Sequence, residues 1–125
     1  MSGAGVQPRL FDYLDHMEEA VHLAIGYAES LDKFAFLSDK RTQQAVIMNI
    51  LIIGEAAGKI ATEYPEFVIA HPQIPWREMR GMRNRMAHGY FDINLDIVWE
   101  TVQKALPALG EQIQKLSAVK SESAS

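Results

Sequence analysis

The chain has 125 residues, 48% hydrophobic and 22% charged, with 12 Lys+Arg against 16 Asp+Glu; these are the proportions of one folded domain, not of a disordered or membrane-embedded chain. A formal charge of −4 excludes a wholesale nucleic-acid coat, so any role with nucleic acid rests on a local basic patch. The lack of cysteine removes disulfides, thiolate metal sites and thiol nucleophiles together, and fits a reducing compartment.

Residues 1–8 read as small and flexible, and residues 117–125 as a polar, Ser-rich tail; neither is expected to bury enough surface to offset its ordering entropy. The domain is therefore expected over residues 9–116. From Arg9 onward, Leu10, Leu14, Met17, Val21, Ala24, Ala28 and Leu31 recur at spacings of four and three, the mark of a long amphipathic helix. Residues 32–38 keep no period and read as a connection. Ser38 or Asp39 then caps a second helix that ends near Tyr64, before Pro65. Its middle, residues 45–61, is apolar almost all round and marks the central helix of a bundle. The longest apolar run within it, residues 45–53 broken by Asn49, is far short of the ~20 residues that span a bilayer. The N-terminus has no signal-peptide pattern. A cytoplasmic protein without a membrane partner is expected.

Gly54 and Gly58 each weaken that helix by roughly 1 kcal/mol against Ala, which points to a neighbouring backbone approaching closely. Glu55 beside them calls for a cationic partner, a buried pair with an arginine of the third helix being one answer and general-base chemistry another. Pro65, Pro72 and Pro75 punctuate a loop, Pro75 opens the third helix and Gly89 stops it. Asn94 caps a fourth helix with Asp96 in its first turn, running to Leu116 with a kink at Pro107. No segment alternates like a strand. The fold expected is an all-α antiparallel bundle of four to five helices.

The basic patch lies in the third helix. Arg77, Arg80, Arg83 and Arg85 fall within nine positions, opposed only by Glu78, and His88-Gly89-Tyr90 follows. On an ideal helix Arg80, Asn84 and His88 share a face, whereas Arg83 lies about 140° from His88. Two routes bring both to one point: loosening of the helix near Gly89, or a second copy facing the first across a two-fold axis. The dimer is preferred. An imidazole moves protons to and from ribose and leaving oxygens, and a guanidinium grips phosphate oxygens, which together are the needs of metal-independent RNA cleavage. The spacing alone equally describes a solvated helix end whose cations offset the helix dipole.

The run from Ile74 to Phe91, with Arg83-Asn84 followed by His88-Gly89-Tyr90, and the upstream Ile52-Ile53-Gly54-Glu55-Ala56-Ala57, resemble the HepT toxin family of the HEPN superfamily. The resemblance implies an all-α homodimer and a ribonuclease toxin of a toxin–antitoxin pair. Its signature, Arg, four residues, then His, is carried by Arg83 and His88. It implies catalysis by Arg83, which polarises the scissile phosphate, and His88, which transfers protons, with Asn84 orienting the pair. Arg80 and Arg85 would position RNA. It also implies a minimal nucleotidyltransferase antitoxin that places AMP on Tyr90, adding charge and bulk where RNA phosphate would sit. No cofactor or metal is expected.

Two other classes stay open: a non-catalytic HEPN module that binds nucleotide or RNA, and a helical adaptor for a protein partner. His16 and His22 do not share a helix face as a zinc pair would, and His71 is assigned no role. Trp76 is read as a core anchor, Tyr64 and Trp99 as packing residues. Met79, Met82 and Met86 form a stripe for the central helix or the second subunit.

Overall fold

Apolar periodicity is realised as helices in the computed structural model of the chain, which describes residues 7–124 and the side chains of residues 9–89 and 91–116. In chain order they are α1 (Gln7–Ala28), α2 (Lys33–Leu37), α3 (Lys40–Glu63), α4 (Pro65–Ala70), α5 (Trp76–His88), α6 (Leu95–Glu100) and α7 (Leu106–Ala124). Among the described residues there is no strand. The all-α expectation holds, but the helix count exceeds four to five. Residues 32–38 and the Pro65 region, read as connections, each close a short helix: Asp32 Oδ1 accepts from the Ala35 N–H at 2.8 Å, and Pro65 occupies a first-turn position where its missing N–H leaves no bond unmade. Such one-turn helices are too short to show a period. The expected terminal segments, residues 1–8 and 117–125, lie outside the described side chains. α7 is continued to Ala124, past the end expected at Leu116.

Asp39 starts α3. Its carboxylate accepts from the Thr42 N–H at 3.1 Å and from the Thr42 hydroxyl at 2.8 Å, and these bonds hold its pKa below the ordinary 3.8. α1 runs antiparallel to α3, because Arg9 and Tyr13 near the start of α1 both reach Glu63 at the end of α3, at 3.4 and 3.0 Å. The two helices bury Met17, Val21 and Ala24 from one side and Val46, Ile53 and Ile60 from the other. α3 is long and apolar enough by length and composition to cross a membrane. Half of that apolar stretch is buried in the bundle, with Ile50, Ala57 and Ile60 inward, while Met48 and Ile52 are exposed along with Arg41, Gln44, Glu55 and Lys59.

The last helical run closes the core with Val98, Val102, Leu109 and Ile113. Asn94 Oδ1 caps it by accepting from the N–H groups of Asp96 and Ile97. The disturbance expected at Pro107 takes the form of a π turn, Thr101–Ala105, just ahead of the proline. A proline without an N–H leaves carbonyls of the preceding turn without their usual donor, and widening that turn is one accommodation. Phe36 of α2 packs on Trp99, ring centroids 5.3 Å apart, and Lys33 pairs with Asp96 at 3.0 Å, so the short helix pins α6 to the bundle.

Candidate active site on the arginine helix

α5 is anchored at its start by Trp76, which is buried, donates from Nε1 to the His71 carbonyl at 3.0 Å and meets Phe67 edge-on. Core anchoring is thus its role, as expected. Met79 and Met86 are buried and Met82 is half-buried, which turns the methionine stripe toward α3 and the core. The rest of α5 is left to solvent, and there lie Arg77, Arg80, Asn84, Arg85 and His88.

Gly54 is where α5 crosses α3. A Cβ at that position would stand 2.8 Å from the Met79 carbonyl and collide with the Arg83 side chain, so only glycine lets the arginine lie across the central helix. The close approach inferred from sequence holds for Gly54. It does not hold for Gly58, where a Cβ would meet nothing within 4 Å.

Arg83 is held on two sides. Its Nη2 stands 3.2 Å from Glu55 Oε1, and its Nη1 donates to Asn84 Oδ1 at 3.1 Å. The cationic partner demanded by Glu55 is therefore Arg83. The pair is not buried: 56% of the Glu55 side chain and 38% of the Arg83 side chain remain exposed. Glu55 lines the open cleft beside the crossing, so water keeps access to the carboxylate.

Beside this pair opens a cleft of about 310 Å³, walled by Glu55, Lys59 and Thr62 from α3 and by Arg80, Arg83 and Asn84 from α5. Gly58 supplies part of its floor. Lys59 and Thr62 were not singled out in the sequence, although their spacing of four and seven from Glu55 puts them on the same helix face. Such a cleft offers three cations and an amide to an anionic ligand at the cost of one carboxylate.

The remaining expected residues lie elsewhere. His88 is exposed in the last turn of α5 and does not line the cleft. The helix keeps its form through His88 and Gly89 only caps it, at an ordinary φ of −112°. The helix is thus not loosened here, and within one chain Arg83 and His88 stay on different sides of α5. Arg85 lines a separate hollow of about 150 Å³ with Met86, Ile93 and Val98, away from Arg83. The backbone of Tyr90 begins a single 3-10 turn, but its side chain lies outside the described residues. His71 stacks on Phe67 and bonds the Phe67 carbonyl, a structural use. His16 is exposed, and His22 faces Glu18 at 3.9 Å.

Comparison with known proteins identifies the family of the chain. The family described as "Ribonuclease HepT-like" matches residues 17–116. A protein of Thermococcus cleftensis named "Probable ribonuclease HepT" is 39% identical over 105 residues, 84% of this chain and 93% of its own. A Methanocaldococcus jannaschii protein named "Putative RNase" is 32% identical over 111 residues, 89% of this chain and 86% of its own. No solved structure matches the chain. With the family match spanning α1 to α7 and including the whole of α5, the chain belongs to the HepT-like ribonuclease family.

Proposed function

We propose that the chain is a metal-independent endoribonuclease acting as the toxin of a toxin–antitoxin pair, with its reaction centred on α5. The observation that carries this reading is the fixing of Arg83 over Gly54 by Glu55 and Asn84, in a cleft rich in cations. A guanidinium held in place before substrate arrives stabilises developing phosphate charge without reorganising. Asn84 orients it. Arg80 shares the cleft and positions the backbone, and Arg85 extends the basic surface toward the far side of the helix.

His88 supplies proton transfer. As a neutral imidazole it takes the 2′-hydroxyl proton, the 2′-oxygen attacks the adjacent phosphorus, and the bond to the 5′-oxygen breaks as that oxygen gains a proton. A 2′,3′-cyclic phosphate results, and DNA, lacking the 2′-hydroxyl, does not react. Because Arg83 and His88 diverge around α5 by about 140°, the reading requires a homodimer in which a second copy brings its own α5 across a two-fold axis. A composite cleft then holds guanidinium from one copy and imidazole from the other.

The antitoxin in this reading is a minimal nucleotidyltransferase that transfers AMP to Tyr90. The tyrosine follows the His88 turn directly, so an added nucleotide would crowd the imidazole and occupy nearby arginines. In this reading the ribonuclease acts in the cytoplasm, with RNA and the antitoxin as its partners.

The test is incubation of single-stranded RNA with purified protein in the presence of a chelator. Wild type should cleave and leave 2′,3′-cyclic phosphate ends, and His88→Ala should lose about 10²–10⁴-fold in rate with unchanged helicity. Equal cleavage by both would remove His88 from the reaction. No cleavage by an unmodified, folded dimer would favour a binding module.

A further inference from the structure

A second cleft, of about 400 Å³, adjoins the first and shares Arg80 and Asn84 with it as a common wall. Its other side is made by Ala61 of α3, Val68 of α4 and the remaining edge of Trp76, with Arg77 at the mouth. Gly81 forms part of the floor, and a Cβ there would meet nothing within 4 Å. That glycine has neither a packing neighbour nor a positive φ to explain it, and glycine in mid-helix is unfavourable. Gly58 stands in the same relation to the first cleft. Gly26, also without a neighbour, is exposed near the end of α1 and borders neither cleft.

The charges point the same way. Among the described residues, Arg77 and Arg80 have no hydrogen bond or ion pair with any acid, unlike Arg83, so their donors are open to a ligand. Three positions apart on one helix, their Cβ atoms are about 5–6 Å from each other, and they flank one edge of the hollow. A small apolar wall next to two free guanidinia matches an unstacked nucleotide, whose base seeks an apolar surface while its phosphate seeks cations.

We propose that this second cleft binds the nucleotide next to the one whose phosphate Arg83 holds, with its base against Ala61, Val68 and the Trp76 edge and its phosphodiester on Arg77 and Arg80. The proposal rests on the RNA reading above and adds a site to it. Contact here is through backbone charge and an apolar surface, so the cleft sets a preference for single-stranded RNA extending beyond the cut, with little base readout.

The experiment is binding of a fluorescent, 2′-O-methylated single-stranded RNA octamer, which lacks the attacking hydroxyl, read by anisotropy over a range of salt. Gly81→Leu fills the cleft and should weaken binding at least tenfold, whereas Gly81→Ala should stay within about twofold of the parent. Neither should lower the melting temperature, since the added carbons enter open space. Arg77→Ala, on the exposed mouth, should reduce the slope of log affinity against log salt by about 0.7, one single-strand phosphate contact. The proposal is overturned if the parent does not bind the octamer, if Gly81→Leu binds like the parent, or if Arg77→Ala leaves the slope unchanged. A Gly81→Leu protein that keeps RNA but loses an acidic polypeptide such as polyglutamate would overturn it in favour of a protein ligand. Cleavage of unmodified RNA is scored separately: the predicted binding changes in a protein that cuts nothing would sink the nuclease reading and leave this site standing.

Discussion

Helix α3 packs against α1 on one side and α5 on the other, and the two seams are closed by different means. On the α1 side, α1 contributes Met17, Val21 and Ala24 to the buried core and α3 its own buried apolar residues. Toward α5, buried Met79 and Met86 share the seam with a crossing at which Gly54 meets Arg83, and beside that crossing two clefts remain. Apolar side chains fill volume and leave no charge to use. A glycine crossing brings backbones together at one place, and the polar side chains around it are left partly wet, fixed and free to meet an anion. One helix thus packs on both faces and leaves room for chemistry beside the second.

The difference is sharpened first by Met17→Ala. Removing this fully buried side chain should cost about 2–5 kcal/mol by thermal or denaturant unfolding, while cleavage per folded molecule stays at the wild-type rate. A selective loss of cleavage would mean the two faces of α3 are not separable. Next comes the glycine pair. Gly54→Ala should cost about 1–3 kcal/mol, because the Met79 carbonyl and Arg83 must give way. Gly58→Ala should stabilise the protein by about 0.5–1 kcal/mol, because its Cβ meets nothing and alanine favours the helix. Equal signs for the two would contradict the crossing geometry.

The smallest effect concerns the start of α3, away from both seams. Bonds from Thr42 hold the Asp39 pKa below 3.8 in the folded protein. Its contribution is therefore fully present above the unfolded value and is lost as pH falls through the folded one. Asp39→Asn keeps a cap acceptor but no titrating charge, so its melting temperature should fall less than that of the wild type on acidification below pH 3.8. An identical acid response would remove Asp39 as a contributor.

Much of this asymmetry is legible in the chain. Periodicity identifies the long helices and their buried faces, because burial is selected position by position along a 3.6-residue repeat. Gly54 and Glu55 likewise announce a close crossing and a cationic partner. The glycine pattern does not tell that Gly58 lies open, since the angle of a crossing decides how many small residues it covers. Nor does it reveal that the Glu55–Arg83 pair is exposed, because a carboxylate next to a seam reads the same whether the partner helix covers it or turns aside. The short helices α2 and α4 leave no period to read. For the site, the arginine cluster and His88 stand out in the sequence, but Lys59, Thr62 and the second cleft arise only where α3, α4 and α5 meet.

The central claim is that Arg83 and the clefts beside the α5 seam perform chemistry and add little to stability. Arg83→Ala tests it most directly, with thermal unfolding and RNA cleavage measured on the same preparation. Loss of a partly exposed ion pair should change stability by about 1 kcal/mol, while the cleavage rate should fall by at least about 100-fold. A protein that unfolds far more easily, and whose cleavage falls only in step with its folded fraction, would show instead that Arg83 is a packing residue and would contradict the account.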